Sequence, residues 1–198
     1  APQAALASLS QNKGKNVDDE QSVFQHTIDC MRYYPEERLH HDWIGVVAVF
    51  FHDVGKLYTA QRVGARWTFY QQHRVGAKVT RKILRRLHFN PEDIDTICGV
   101  VRNQLRFQSM MTDRGIRRFL ELPDTDRLIE LARANIKAQQ DGNYTNFNHN
   151  LKYLERGETP LEMLEPLLNG NEIMEYTGLP QGPEVGVLRS ALLDAQIR

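Results

Sequence analysis

The residues from Trp43 to Phe51 form a nearly uninterrupted apolar run that ends directly on His52-Asp53-Val54-Gly55-Lys56. Within it Trp43, Val46, Val47 and Phe50, followed by Val54, recur at steps of three and four, which predicts a buried helix. An imidazole and a carboxylate therefore arrive together at the mouth of that helix. Neighbouring helical residues point about 100° apart, so both can reach one ion only where side chains converge at a helix end. This end is C-terminal, where the helix dipole favours a cation and disfavours an unpaired carboxylate. A bound divalent metal resolves the conflict, and so does an ion pair with Lys56.

His41-Asp42 is an internal control, since the same dipeptide stands before the apolar helix instead of after it. There Asp42 reads as an N-cap. His26 sits between Val23 and Cys30 on the border of an apolar stripe, a place where a lone histidine is ordinarily a satisfied core residue. His73 opens a later helix, at an N-terminus suited to anions.

The rest of the chain reads as helices. Phe24, Ile28 and Met31 make one stripe; Val75, Val79, Ile83 and Leu87 make another. Asn90-Pro91-Glu92-Asp93 combines an N-cap, a first-turn proline and acids at the positive dipole end, and opens a helix carrying Ile94, Ile97, Cys98, Val101 and Leu105. Two more run from Asp113 to Leu122 and from Asp124 to Gln140, the second with Leu128, Leu131, Ala132 and Asn135 on one face and a turn at Asp141-Gly142-Asn143. The single β-like stretch is Tyr58 to Tyr70, two arms flanking Gly64. Thr159-Pro160-Leu161-Glu162 has capping-box spacing, and Gly170, Gly178 and Gly182-Pro183 punctuate the C-terminal segment. The expectation is an all-α fold in three parts: a flexible tail over residues 1–20, a helical domain over 21–156 with a short hairpin-like excursion, and a small helical C-terminal appendage over 157–198.

With 198 residues, 41% of them hydrophobic, the chain can bury its own core. No stretch approaches the ~20 apolar residues of a membrane span, and no basic-then-apolar segment opens the chain. Cys30 and Cys98, each on an apolar stripe, read as buried thiols in a reducing, cytoplasmic setting in preference to a disulfide or a metal site. The balance of 25 basic against 25 acidic residues excludes a globally basic nucleic-acid binder but not a local patch. The chain opens Ala1-Pro2 without Met, as a fragment or processed chain would.

Four motifs, Phe24-Gln25-His26-Thr27, Phe51-His52-Asp53-Val54-Gly55-Lys56, His73-Arg74-Val75-Gly76-Ala77 and Leu84-Arg85-Arg86-Leu87, together resemble the HD superfamily of metal-dependent phosphohydrolases. Their order and spacing look most like the HD domain of bacterial CCA-adding tRNA nucleotidyltransferases and related poly(A) polymerases. Pro166-Leu167-Leu168-Asn169-Gly170 and the stretch Leu179 to Gly186 resemble the segment after the HD domain in those enzymes, so the resemblance covers the chain from about Gln21 onward. It implies a helical bundle holding a divalent ion, Mg, Mn, Fe, Co or Ni, through a His, a His-Asp pair and a later Asp. His26, His52 and Asp53 match the first three. The later position falls on Asn135, whose neutral carboxamide would hold the ion more weakly. In the two-metal subset extra histidines stand where this chain has His73 and Gln104; only the first is kept, so one ion is expected.

Between Gln71 and Asn90 the charged residues are Arg74, Lys78, Arg81, Lys82, Arg85 and Arg86, with no acid among them. Arg74, Lys78, Arg81 and Arg85 form one stripe, either a solvated face or a surface for phosphates. Arg102, Arg106, Arg114, Arg117 and Arg118 extend the candidate field. The sequence thus predicts a metal-dependent phosphohydrolase acting on a nucleotide or an RNA-terminal phosphate ester. His26, His52, Asp53 and, weakly, Asn135 would hold the metal, with Asp53, His52, Lys56 and His73 catalytic. Lys56, His73, Arg74, Lys78, Arg81 and Arg85 would contact phosphate, and Tyr58 or Trp67 would stack on a base. The alternative is a catalytically degenerate HD module that binds RNA or nucleotide, or regulates, as a fragment of a tRNA nucleotidyltransferase-like protein; Asn135 and Gln104 favour it. Nucleotidyl transfer by this segment itself lacks support, because it shows no glycine-serine head with paired catalytic aspartates; Asp93-Ile94-Asp95 and Asp124-Thr125-Asp126 read as helix caps.

Overall fold

The computed structural model describes residues 10–12, 20–35, 41–64, 66–139, 142–158 and 166–197. The fold is all-α with two short strand pairs. β1 (Ser10–Asn12) pairs antiparallel with β2 (Glu20–Ser22), and α1 (Val23–Tyr33) follows at once, capped by the Ser22 hydroxyl accepting from the Gln25 amide. Next come α2 (Trp43–Phe51), a turn through residues 52–55, and the one-turn α3 (Lys56–Thr59). The hairpin of β3 (Ala60–Val63) and β4 (Arg66–Phe69) is next, in a register that sets Arg62 opposite Trp67. The helices α4 (Gln72–Arg86), α5 (Pro91–Asn103), α6 (Asp113–Leu120), α7 (Thr125–Lys137), α8 (Thr145–Glu158), α9 (Gly170–Thr177) and α10 (Pro183–Ile197) complete the chain.

The chain divides into two compact units, one of residues 1–109 with 123–147, the other of 110–122 with 148–198. The first unit wraps α2, whose Ala48, Val49 and Phe51 are buried, with α1, α5 and α7. Asp42 anchors its start: the Arg127 guanidinium from α7 donates to both carboxylate oxygens, and the Tyr34 hydroxyl donates to Oδ2 at 2.6 Å. Asp42 stands at the N-cap position as expected, yet its side chain makes no capping hydrogen bond and serves this ion pair. The second unit has α10 against α6 and α9, with Ile116, Phe119, Ile173 and Val185 buried. The Asn150 side chain accepts from the Met111 amide, and a capping box at Asn169 and Glu172 opens α9. Among the described residues no helix is long and apolar enough to cross a membrane.

Several local expectations are corrected. Ser10 to Asn12 belong to a strand where a tail was expected, so Tyr58 to Tyr70 is not the single β element. These polar residues carry no β-propensity signal, and backbone pairing alone defines the strand. Tyr58 lies in α3, ahead of the hairpin. On α4 the buried positions are Gly76, Ala77, Thr80 and Leu84, while Val75, Val79 and Ile83 are half-buried and Leu87 is exposed. The helix turns its small side chains inward because its neighbours come close: a Cβ built on Gly55 would lie 2.0 Å from Gln72 O and 2.7 Å from Gly76 N. On α1 the buried face is Val23, His26, Thr27 and Cys30, so His26 stands in the interior and not at its border. Helix α8 had no sequence assignment, although Phe147, Leu151 and Leu154 have helical spacing. The capping box at 159–162 and the turn residue at 141 lie outside the described residues.

A buried histidine centre beside a cationic pocket

The end of α2 and the middle of α1 bring His26, Cys30 and His52 together, each offering a ligand atom within 4.8 Å of the others. All are interior, with 2%, 0% and 0% exposure, and Asp53 is 2% exposed. His26 and Cys30 share a face because they are four residues apart on one helix, and Cys30 Sγ lies 3.4 Å from His26 Nε2. The two imidazole rings are tilted at 55° with centroids 5.7 Å apart.

The His52 ring orientation follows from its contacts. Its Nδ1 is 2.6 Å from the Val49 carbonyl oxygen, which can only accept, so Nδ1 carries a proton and Nε2 is left facing the cluster. His52 Nε2 is 3.3 Å from Asp53 Oδ2, a charge contact without hydrogen-bond alignment; His26 Nδ1 is likewise buried with no hydrogen-bond partner among the described residues. Buried polar atoms left in this way are costly in an interior. On His52, burial opposes a charge, but the Asp53 carboxylate outweighs it and raises the imidazole to about 10, so a metal ion would bind Nε2 by displacing its proton. On Asp53, burial pushes the other way and is overcome by His52 and Lys56, which hold the carboxyl below the usual range. Burial lowers His26 to about 4 despite the nearby Asp53 charge.

These residues fit a metal ion. His26, Cys30 and His52 each offer a ligand atom within 4.8 Å of the others, His52 Nε2 has no hydrogen-bond partner among the described residues, and the Val49 carbonyl orients His52 as second-shell acceptors orient metal-bound histidines. The alternative open in the sequence also operates, because Lys56 Nζ donates to Asp53 Oδ2 at 2.7 Å and so already balances that carboxylate. Lys56 also lies 5.3 Å from the centre of the Phe69 ring. Asn135 is buried on α7, and its Oδ1 accepts from the Gln139 side chain.

A second feature adjoins this centre. His73, Arg74, Arg102, Asn103, Leu105 and Arg106 line a pocket of about 270 Å³ formed by the start of α4 and the end of α5. No carboxylate is among these lining residues. Gln104, between Asn103 and Leu105, is fully buried and its amide donates to the His52 carbonyl, which ties the pocket wall to the histidine centre. His73 is lowered by burial and then by Arg74, Arg102 and Arg106. The predicted basic stripe is less uniform: Arg81 bonds Asp95 of α5 at 2.5 Å, whereas Lys78 and Arg85 are exposed and line no part of the pocket. Cys30 escaped the sequence reading as a ligand, although the His26-to-Cys30 spacing of four was visible. Arg102 and Arg106 were noted only as a wider field, since their convergence on His73 depends on how α5 lies against α4.

No family model matches the chain. Among curated proteins it is 35% identical over 187 residues to a CC-adding tRNA nucleotidyltransferase of Thermus thermophilus, a match covering 88% of this chain and 41% of that protein. It is 31% identical over 189 residues to an A-adding tRNA nucleotidyltransferase of Deinococcus radiodurans, covering 88% of this chain and 42% of the relative. The chain thus spans about two fifths of the length of the curated relatives it matches.

Proposed function

We propose that this chain is an RNA-handling helical portion of a tRNA nucleotidyltransferase-like protein in a cytoplasmic setting, and that its cationic pocket receives a backbone or terminal phosphate of tRNA. The observation that carries this is the convergence of Arg74, Arg102 and Arg106 with His73 around about 270 Å³, with no carboxylate among the described lining residues. Guanidinium forks suit phosphate oxygens, and His73, lowered by burial and then by the arginines, offers a ring nitrogen beside them. The similarity to two tRNA nucleotidyltransferases supports the choice of RNA. Arg102→Ala and Arg106→Ala, measured by filter binding to tRNA across a salt series, should each weaken binding and reduce the salt slope by roughly one. Unchanged affinity and slope in both would sink the proposal.

The second reading is the metal-dependent phosphohydrolase, favoured by the buried His26 Nδ1 and His52 Nε2, which have no hydrogen-bond partner among the described residues. A divalent ion held by His26, His52 and Asp53, with Asn135 as a neutral fourth group, would polarise a phosphoryl oxygen and acidify a bound water. Lys56 would hold Asp53 in place, while His73 and Arg74 would orient the phosphate. Burial weighs against it: with His26, His52 and Asp53 at or below 2% exposure the centre is closed, as structural metal sites are, whereas catalytic sites keep an open position. A phosphatase and phosphodiesterase screen with Mg, Mn, Fe, Co and Ni, run beside His52→Ala, tests this reading; metal-dependent turnover lost in the variant would restore it over the first.

A further inference from the structure

We infer that His26, Cys30 and His52 form a closed, sulfur-containing site for a borderline divalent cation of the zinc type, with Cys30 as a ligand and a structural role. The inference rests on the reading of the buried centre as a metal site, and adds a ligand and a metal preference to it.

Three observations carry it. Cys30 is fully buried, and its sulfur lies within 4.8 Å of a ligand atom from each histidine. His52 Nε2 is an interior atom with no hydrogen-bond partner among the described residues, the Val49 carbonyl fixes its ring with Nε2 inward, and His26 Nε2 lies 3.4 Å from the Cys30 sulfur. The third is charge. Asn135 brings no negative charge, and Asp53 is engaged by Lys56 at 2.7 Å, so two imidazoles with that carboxylate leave a divalent ion poorly neutralised. A Cys30 thiolate supplies the missing charge, since the thiolate is the form that ligates and metal binding releases its proton. One sulfur with two imidazoles selects Zn²⁺, Co²⁺ or Ni²⁺ over Mg²⁺ and Mn²⁺, which prefer all-oxygen sites. The i, i+4 placement of His26 and Cys30 on α1, joined to His52 at the end of α2, makes the ion a staple between two helices.

The test uses the whole chain, stripped with chelator and titrated with Co²⁺ and Zn²⁺ alone. The cobalt form should show a near-ultraviolet sulfur-to-cobalt charge-transfer band, and X-ray absorption of the zinc form should require one sulfur neighbour at about 2.3 Å. Cys30→Ser should lose the band while Cys98→Ser keeps it. Losing even an outer-shell partner costs about 10–100-fold in metal affinity, so zinc affinity in Cys30→Ser should fall by at least about tenfold. Zinc should also raise the midpoint of thermal unfolding of the wild type. A metal held with nitrogen and oxygen neighbours only would overturn the role of Cys30 and leave the metal site standing. Failure of Co²⁺ and Zn²⁺ to bind at all would overturn both. Absorption of the wild-type zinc form decides the matter even where Cys30→Ser does not fold. tRNA binding, read separately, should be unchanged in a folded Cys30→Ser.

Discussion

Gly55→Ala should be among the most damaging single-methyl additions in this chain, and the reason is space alone. Gly55 has φ −66° and ψ −24°, a conformation any residue adopts, so no backbone strain is involved. Its added Cβ would meet Gln72 O at 2.0 Å and Gly76 N at 2.7 Å, both backbone atoms of α4, and contacts under 3.0 Å essentially never occur. The start of α4 must therefore retreat by about 1.0 Å, which a flexible side chain would do cheaply and a helix backbone cannot. Overpacking costs about 1–3 kcal/mol, and two backbone clashes place this case at the upper end. At about 2–4 °C per kcal/mol for a chain of this size, the melting temperature should fall by roughly 6–12 °C. The same retreat moves His73 and Arg74 relative to Arg102 and Arg106, so tRNA affinity should drop as well. Two controls calibrate the measurement. A Cβ on Gly76 would sit 3.3 Å from Gly55 N, a contact the gain in helix propensity of about 1 kcal/mol can offset, so Gly76→Ala should melt close to wild type. Gly99, whose added Cβ meets nothing within 4 Å among the described residues, should gain about 0.5–1 kcal/mol on becoming Ala. Calorimetry of the three variants is the assay, and a Gly55→Ala no less stable than Gly76→Ala would refute the reasoning.

Other perturbations have equally direct outcomes. The His26 imidazole is lowered by burial to about 4 from 6.5, so the unfolded chain takes up that proton first. Metal-free protein should accordingly lose stability as pH falls from about 6.5 towards 4, and His26→Gln should flatten that part of a urea-unfolding profile; a profile identical in both would show that His26 does not titrate in this way. Arg127→Met strips Asp42 of a two-oxygen ion pair and leaves a carboxylate whose side chain is 8% exposed, so stability should fall by roughly 3 kcal/mol, read from denaturant midpoints; a loss under ~1 kcal/mol would mark the pair as dispensable. Asn135→Asp should raise divalent-metal affinity by about tenfold or more, followed by titration calorimetry, because a carboxylate adds charge that the carboxamide lacks. No change would place residue 135 outside the centre.

How much of this was legible in the sequence varied by residue. The Asn90 cap of α5 was readable to the residue, with the side chain accepting from the Glu92 amide, because a cap is local chemistry within one turn. The buried stripe of α7 was readable for a related reason: Leu128, Leu131, Ala132 and Asn135 follow one period on one helix. The inner face of α4 was misread, since an apolar scale ranks Val75, Val79 and Ile83 above Gly76, Ala77 and Thr80, whereas a tightly packed interface selects for smallness. Cys30 was assigned to the core for the same kind of reason. A buried thiol and a ligating thiol have the same hydropathy, and they differ only in what lies opposite.

The sequence by itself determined the all-α character of the protein, the position of His52-Asp53 at the mouth of a buried helix, and the concentration of cations on α4, because each depends on neighbours within a few residues along the chain. Tertiary structure decided which of those groups meet. It set Lys56 against Asp53, carried Asp95 to Arg81, converged Arg102 and Arg106 on His73, and placed Cys30 of α1 beside His52 of α2. Helical periodicity states which face a side chain occupies. Only the packing of one helix on another, here brought close by the Gly55–Gly76 contact, states what that face sees.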